Sequence, residues 1–186
     1  LAPLFGEQVV LTVIQLLLIN LAMDTLAAIA FGSEPALREY MKDKPVPRTA
    51  SIVSKEMLIE IVISASYITF ICLSILFLPP VRSLFGDVDV IYLKSALFAT
   101  FMMAITFNGF NARTEHVNVF KNVGRNKNFV LVMLSIFAMQ FIFVTFGGEV
   151  LSVEALDVRS WLICIVLAFM VIPIDVVRKA IMHKNK

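Results

Sequence analysis

Charge is scarce in this sequence: only 16% of its 186 residues are Asp, Glu, Lys or Arg. The complementary excess is 59% apolar residues with a mean hydropathy of +0.88. No soluble domain of this size needs so much apolar material, so the class expected is an all-α, polytopic membrane protein. Cysteine is almost missing. Cys72 and Cys164 fall inside apolar runs, form no metal-ligand spacing, and read as helix-packing residues. The two histidines, His116 and His183, lie in polar segments and receive no ligand role. There is no GxxxxGK[ST] loop to cradle a nucleotide, and no catalytic constellation is expected. No charged n-region or cleavage site precedes the first apolar run, and the first residue is Leu1, so the sequence reads as a piece of a longer chain. Internal repeats and low-complexity tracts are missing too, and no nucleic-acid partner is expected.

What is there is length in oil. Five apolar runs are each long enough to cross a bilayer core of about 30 Å at about 1.5 Å per residue. They cover approximately Gln8–Phe31, Glu56–Leu78, Ile91–Asn111, Asn128–Phe146 and Val158–Val177. Gly32-Ser33-Glu34-Pro35, Pro79-Pro80 and Gly147-Gly148 punctuate them, and Pro173 is expected to kink or shorten the last. The connecting segments are strongly asymmetric. Segments 32–55 and 112–127 and the tail 178–186 carry 13 of the 16 basic residues. The opposite side holds only Arg82, Lys94 and Arg159, beside Glu7, Asp87, Asp89, Glu149, Glu154 and Asp157. The positive-inside rule then puts the C-terminus in the cytoplasm and the N-terminus outside. The lipid bilayer is the expected surrounding. The stretch Glu34–Glu56, with Pro45 and Pro47, reads as a hydrated connector whose basic residues could also touch anionic head groups.

The first run keeps an amide and a carboxylate in its middle, Asn20 and Asp24. An ionised Asp in hydrocarbon costs roughly 2.5–3.5 kcal/mol on insertion scales. Four residues apart on a helix, the two side chains share one face, where they offer two or three oxygens to a dehydrated hard cation. They are the candidate metal-binding residues. The bland alternative is that they only join helices by hydrogen bonds.

Asn20-Leu21-Ala22-Met23-Asp24-Thr25-Leu26-Ala27 resembles the sixth transmembrane helix of P-type calcium-transporting ATPases, and Met before Asp is similar to the plasma-membrane type. The resemblance runs on in order. Pro45-Val46-Pro47-Arg48 with Ile52-Val53-Ser54 and Met57 resembles the loop into the seventh helix. Phe107–Arg113 resembles the end of the eighth, Asn118–Phe120 with Arg125-Asn126 the next loop, and Gln140–Gly148 the ninth helix and its exit. It implies that the five spans are the sixth to tenth helices of such a pump, in a plasma (inner) membrane, and that Asn20 and Asp24 match its calcium ligands. It implies further that ATP and Mg²⁺ act on other domains of the parent protein, and that the remaining ion ligands come from an earlier helix. Met23 stands where two-site pumps carry threonine, and Ile105 where they carry glutamate; neither side chain suits a hard cation. Val10 and Leu18 also depart from the family, at a proline and a tryptophan near the start of that helix. The resemblance therefore implies the one-site type.

Rival readings are an ATP-independent exchanger or channel lined by Asn20 and Asp24, and a non-transporting scaffold. Mn²⁺ would also accept these oxygens. Backbone carbonyls would add to the site if the helix loosened around Leu21–Met23, although neither Gly nor Pro marks a break there. Gln140 reads as an interhelical hydrogen-bonder, Glu60 as structural, Asn108 and Asn111 as caps, and Asp175 as a partner for freed amides or Arg178. Trp161 and Tyr92 are expected at the outer boundary, and Tyr67 in interface or packing contacts.

Overall fold

The computed structural model describes residues 11–34, 51, 53–114 and 116–184, and all regular structure among them is helical. Five helices are long and apolar enough to cross a membrane: Val13–Gly32, Lys55–Phe77, Val90–Ala112, Lys127–Phe146 and Val158–Met182. We label the first four α1 to α4. The fifth is divided into α5, Val158–Phe169, and α6, Val171–Lys184. Most of the connector anticipated over Glu34–Glu56, including Pro45, Pro47 and their basic neighbours, lies outside the described residues, as does the sequence before Leu11.

Helix starts follow local hydrogen-bond chemistry. Ser54 caps α2 by accepting from the Met57 amide at 3.1 Å, Asn126 caps α4 at Phe129 (2.9 Å), and Asp157 caps α5 at Ser160 (3.1 Å). Helix ends follow steric chemistry. Pro79 follows the C-cap of α2 at Leu78 and opens a single helical turn. At the end of α4, a Cβ on Gly147 would stand 2.3 Å from the Phe143 carbonyl oxygen, and Gly148 takes φ +46. The last span breaks at Met170, three residues before Pro173. A proline lacks its N–H and crowds the carbonyl four residues back, here Phe169, where α5 stops.

The core is arranged around α3. Its apolar window is 61% buried, against 22% for α1. Ala96, Ala99 and Ala104 are fully enclosed, and across from them lie Cys164 and Ala168 of α5. Small side chains let two backbones close up in lipid, where apolar area alone gives helices little reason to associate. The Cys164 thiol reaches the Ala96 carbonyl at 3.5 Å. Around α3 stand α2, α4, α5 and α6, while α1 leans mainly on α4.

Polar bonds stitch this bundle at three depths. At one end the Tyr92 hydroxyl donates to Asp157 (2.6 Å), and Ser95 accepts from the Glu154 amide (2.8 Å). In mid-span Tyr67 of α2 donates to the Leu167 carbonyl of α5 (2.6 Å). At the end bearing the basic loops, Asp175 is paired with Arg178 (2.5 Å) and Lys179 (2.8 Å), and Arg178 reaches Glu60 of α2 (2.9 Å). Lys179 also donates to the carbonyls of Asn111 (2.8 Å) and Thr114 (2.7 Å) at the end of α3. Asn111 itself is fully buried and donates to the Val171 carbonyl at 3.1 Å. The cap expected of Asn111 is thus a link between α3 and α6. Trp161 is buried against Phe141.

Candidate ion site

The helix that carries Asn20 and Asp24 changes gauge where they sit. It opens with a reciprocal cap: the Gln15 main-chain amide donates to the Thr12 hydroxyl (3.2 Å) and the Thr12 main-chain amide to the Gln15 side-chain Oε1 (2.9 Å). Residues Val13–Leu18 are α-helical, Ile19–Asp24 form a π-helix, and Thr25–Gly32 return to α. The anticipated loosening is therefore a widened turn rather than an unwound one. Hydrogen bonding from residue i to i+5 adds main-chain atoms to each turn, and such turns concentrate at functional sites. No glycine or proline is needed for it. The signal that sequence reading lacked was a conflict of faces within one short stretch.

That conflict is visible side chain by side chain. Ile19 and Met23 are 7% and 5% exposed and take the packing face. Each is followed directly by a polar residue, Asn20 and then Asp24, and both of these are exposed. One step along a helix is a rotation of about 100°, so the polar pair lies beside the packing face rather than behind it. Leu21, one residue on, is 72% exposed. Among the described residues neither Asn20 nor Asp24 has a side-chain hydrogen bond or an ion pair. The structure brings these two together on one open face and brings no third ligand to them: among the described residues no three His, Cys, Asp or Glu side chains converge.

Behind the pair, Ala22, Met23 and Leu26 close against Met102 of α3 and Ile136, Met139, Gln140 and Phe143 of α4. The crevice between them has no room for a water molecule. Gln140, 1% exposed, donates to the Thr106 hydroxyl (2.6 Å) and the Met102 carbonyl (3.3 Å), the interhelical role expected of it. Ile105 is partly buried against the core. Both faces of α1 are thereby defined: one dry and thioether-lined, one open, where Asn20 and Asp24 stand among exposed aliphatic residues such as Leu17 and Leu21.

The ends of α1 are held by bonds that sequence reading did not find. Gln15 donates to the Leu151 carbonyl beyond α4 at 2.8 Å. Glu34 pairs with Arg113 at 2.7 Å and accepts from the Asn126 amide at 2.8 Å. In sequence Glu34 opens the hydrated connector, and in the structure it is instead half-enclosed between Arg113 and Asn126.

Comparison with known proteins is consistent in direction. Residues 8–181 match the family described as cation transporting ATPase, C-terminus. A putative calcium-transporting ATPase 13, plasma membrane-type, of Arabidopsis thaliana is 33% identical over 90% of this chain. The plasma membrane calcium-transporting ATPase mca-1 of Caenorhabditis elegans is 34% identical over 86%, and plasma membrane calcium-transporting ATPase 2 of Oreochromis mossambicus 34% identical over 84%. This chain spans only 16%, 13% and 15% of the lengths of those three relatives. Five apolar helices in order, with a family match over nearly their whole extent, have one reading: the chain belongs to the cation-transporting ATPase C-terminal family and is an integral membrane protein.

Proposed function

We propose that this chain is the sixth-to-tenth-helix portion of an ATP-driven calcium pump, and that Asn20 and Asp24 supply side-chain oxygens to a single intramembrane ion site. The observation that carries the reading is the Asn20–Asp24 pair exposed on the open face of α1. A carboxylate at the middle of an apolar span, without a cation partner among the described residues, is tolerable only if something else meets it there. Calcium takes about 6–8 oxygens, and this pair supplies three at most. The remaining ligands belong to helices of the parent protein outside this chain, which would pack on the same open face. The widened turn supports the assignment, because a helix with altered hydrogen bonding can turn main-chain carbonyls toward an ion.

Met23 and Ile105 support one site rather than two. Met23 is spent on packing, and the crevice behind it is dry. The relatives' names favour calcium and a plasma membrane. The basic loops favour a cytoplasmic C-terminus. ATP and Mg²⁺ would be handled by the parent protein's other domains, so this portion carries the ion path and not the motor.

The test is calcium-activated ATP hydrolysis by the full-length protein in membrane vesicles. Asp24→Asn should abolish calcium activation. Normal half-activating calcium in that variant would refute the site.

A further inference from the structure

Of all the helices, α1 is the least embedded, and its polar bonds to the bundle fall at its two ends. Gln15 stands nine positions before Asp24 and Glu34 ten positions after it. At about 1.5 Å per residue each anchor is roughly 14–15 Å from the carboxylate. Between them the Asn20 and Asp24 side chains make no hydrogen bond or ion pair among the described residues. Apolar packing of Ile19 and Met23 holds the middle of the helix against the bundle, and the directional polar bonds that fix the depth of Asn20 and Asp24 come from the ends.

The two anchors differ in kind. Gln15 offers one neutral bond to a loop carbonyl. Glu34 is held at both oxygens: Oε1 by Arg113 of the α3 terminus, 2.7 Å away, and Oε2 by Asn126, the cap of α4, 2.8 Å away. The Arg113 side chain is 2% exposed. It donates as well to the Val119 carbonyl (3.4 Å) and to that of Lys121, and its guanidinium lies 5.4 Å from the centre of the Phe129 ring. Phe129 in turn packs on Phe31 of α1 and Phe110 of α3. Asn126 is equally occupied, since its Oδ1 accepts from the Phe129 amide (2.9 Å) and from Ser33 (3.4 Å). A buried cation with this many fixed partners cannot follow a moving carboxylate. The carboxylate must come to it. Charge-assisted bonds to both oxygens fix direction as well as distance, which a single contact would not.

We infer that Glu34, clamped by Arg113 and Asn126, is a positioning residue that sets the depth of Asn20 and Asp24 and so tunes the affinity of the ion site without touching the ion. This rests on the reading of Asn20 and Asp24 as ion ligands. A merely structural role for Glu34 would lower the amount of active protein or its maximal rate. A positioning role moves the calcium concentration at half-activation and leaves the maximal rate in place.

The experiment compares Glu34→Ala, Glu34→Gln and Asp24→Asn in the full-length protein, measuring ATP hydrolysis against free calcium in vesicles. Glu34→Ala removes both charge-assisted bonds, and with part of that loss transmitted to the site it should raise half-activating calcium about tenfold. Glu34→Gln keeps the shape and an acceptor, and should raise it about threefold. Maximal turnover should stay within about twofold in both. Unmoved half-activation in both variants, or a loss confined to maximal turnover, overturns the inference. If Glu34→Ala fails to accumulate, Glu34→Gln alone decides by the same criteria. Calcium activation that survives Asp24→Asn brings down the ion site itself. An inactive Asp24→Asn beside unmoved Glu34 variants brings down only the clamp.

Discussion

Lys179 offers the sharpest test of how the bundle is held. Its ammonium donates to the Asn111 carbonyl at 2.8 Å and the Thr114 carbonyl at 2.7 Å, and it is ion-paired with Asp175 at 2.8 Å. Its side chain is 4% exposed, so water cannot replace any of them cheaply. Lys179→Met keeps most of the stem and removes the charge. Two carbonyls at the end of α3 then lose a buried donor, at about 1–3 kcal/mol each. Asp175 keeps Arg178 and loses less. Breaking a buried pair costs about 3–5 kcal/mol as a whole, and at about 1.4 kcal/mol per decade the local opening equilibrium shifts by about 10²–10³ or more. Hydrogen exchange read by mass spectrometry suits the question, because it reports opening segment by segment in a protein too large for two-state unfolding. Peptides from α6 and the end of α3 should lose protection on that scale, while α1 and α4 keep theirs. A change below about tenfold in α6, or one spread evenly over all helices, would refute the reasoning.

Two smaller predictions concern single side chains. Asp157 is solvent-exposed, and hydrogen bonds from Ser160 and Tyr92 hold its carboxyl down to about 2. A depressed carboxylate stabilises the fold above its ordinary range and loses that contribution as pH falls, here between about 4 and about 2; exchange at the first turn of α5 should accelerate over that window, and Tyr92→Phe should move its midpoint upward. Gln140→Ala removes an interhelical bond of the kind that averages about 0.6 kcal/mol in membranes and leaves a small void; it should lower thermal stability of the membrane domain while half-activating calcium stays within about twofold of the parent.

The number and order of helices were legible because a span leaves so coarse a mark: some twenty apolar residues and a polar break. The break in the last span was legible from Pro173, though not its position at Met170, since the steric conflict lies with a carbonyl four residues back. The polar pair of α1 was legible for the same reason as the spans, as charge out of place. What could not be read was which helices meet. Asn111 and Asn126 sit at helix ends, where a cap is the local reading; Asn126 does cap α4, and it also holds Glu34 92 residues away. Arg113, Arg178 and Lys179 counted equally with the solvated bases in the orientation argument, yet each is buried in an ion pair across or along helices. Long-range partnership has no period and no spacing, so one sequence does not display it.

If Asn20 and Asp24 hold the ion as proposed, the π-turn lets packing and ion binding share α1. An ideal helix must divide some four residues per turn between its faces. Ile19 and Met23 close against α3 and α4, and the residues next in line, Asn20 and Asp24, must look elsewhere without turning their backs on the bundle. Hydrogen bonds reaching one residue further widen the turn, so that positions four apart stack more nearly in line. Two stripes, one apolar and one polar, then run side by side over the same two turns. Replacing Met23 by a polar ligand would feed an oxygen into a crevice too tight for water, lined mainly by Met102, Met139 and aliphatic side chains, with the Gln140 amide already engaged by Thr106 and Met102. Through Met23 the dry stripe holds the polar pair at its edge, which is what the proposed single site on this helix requires.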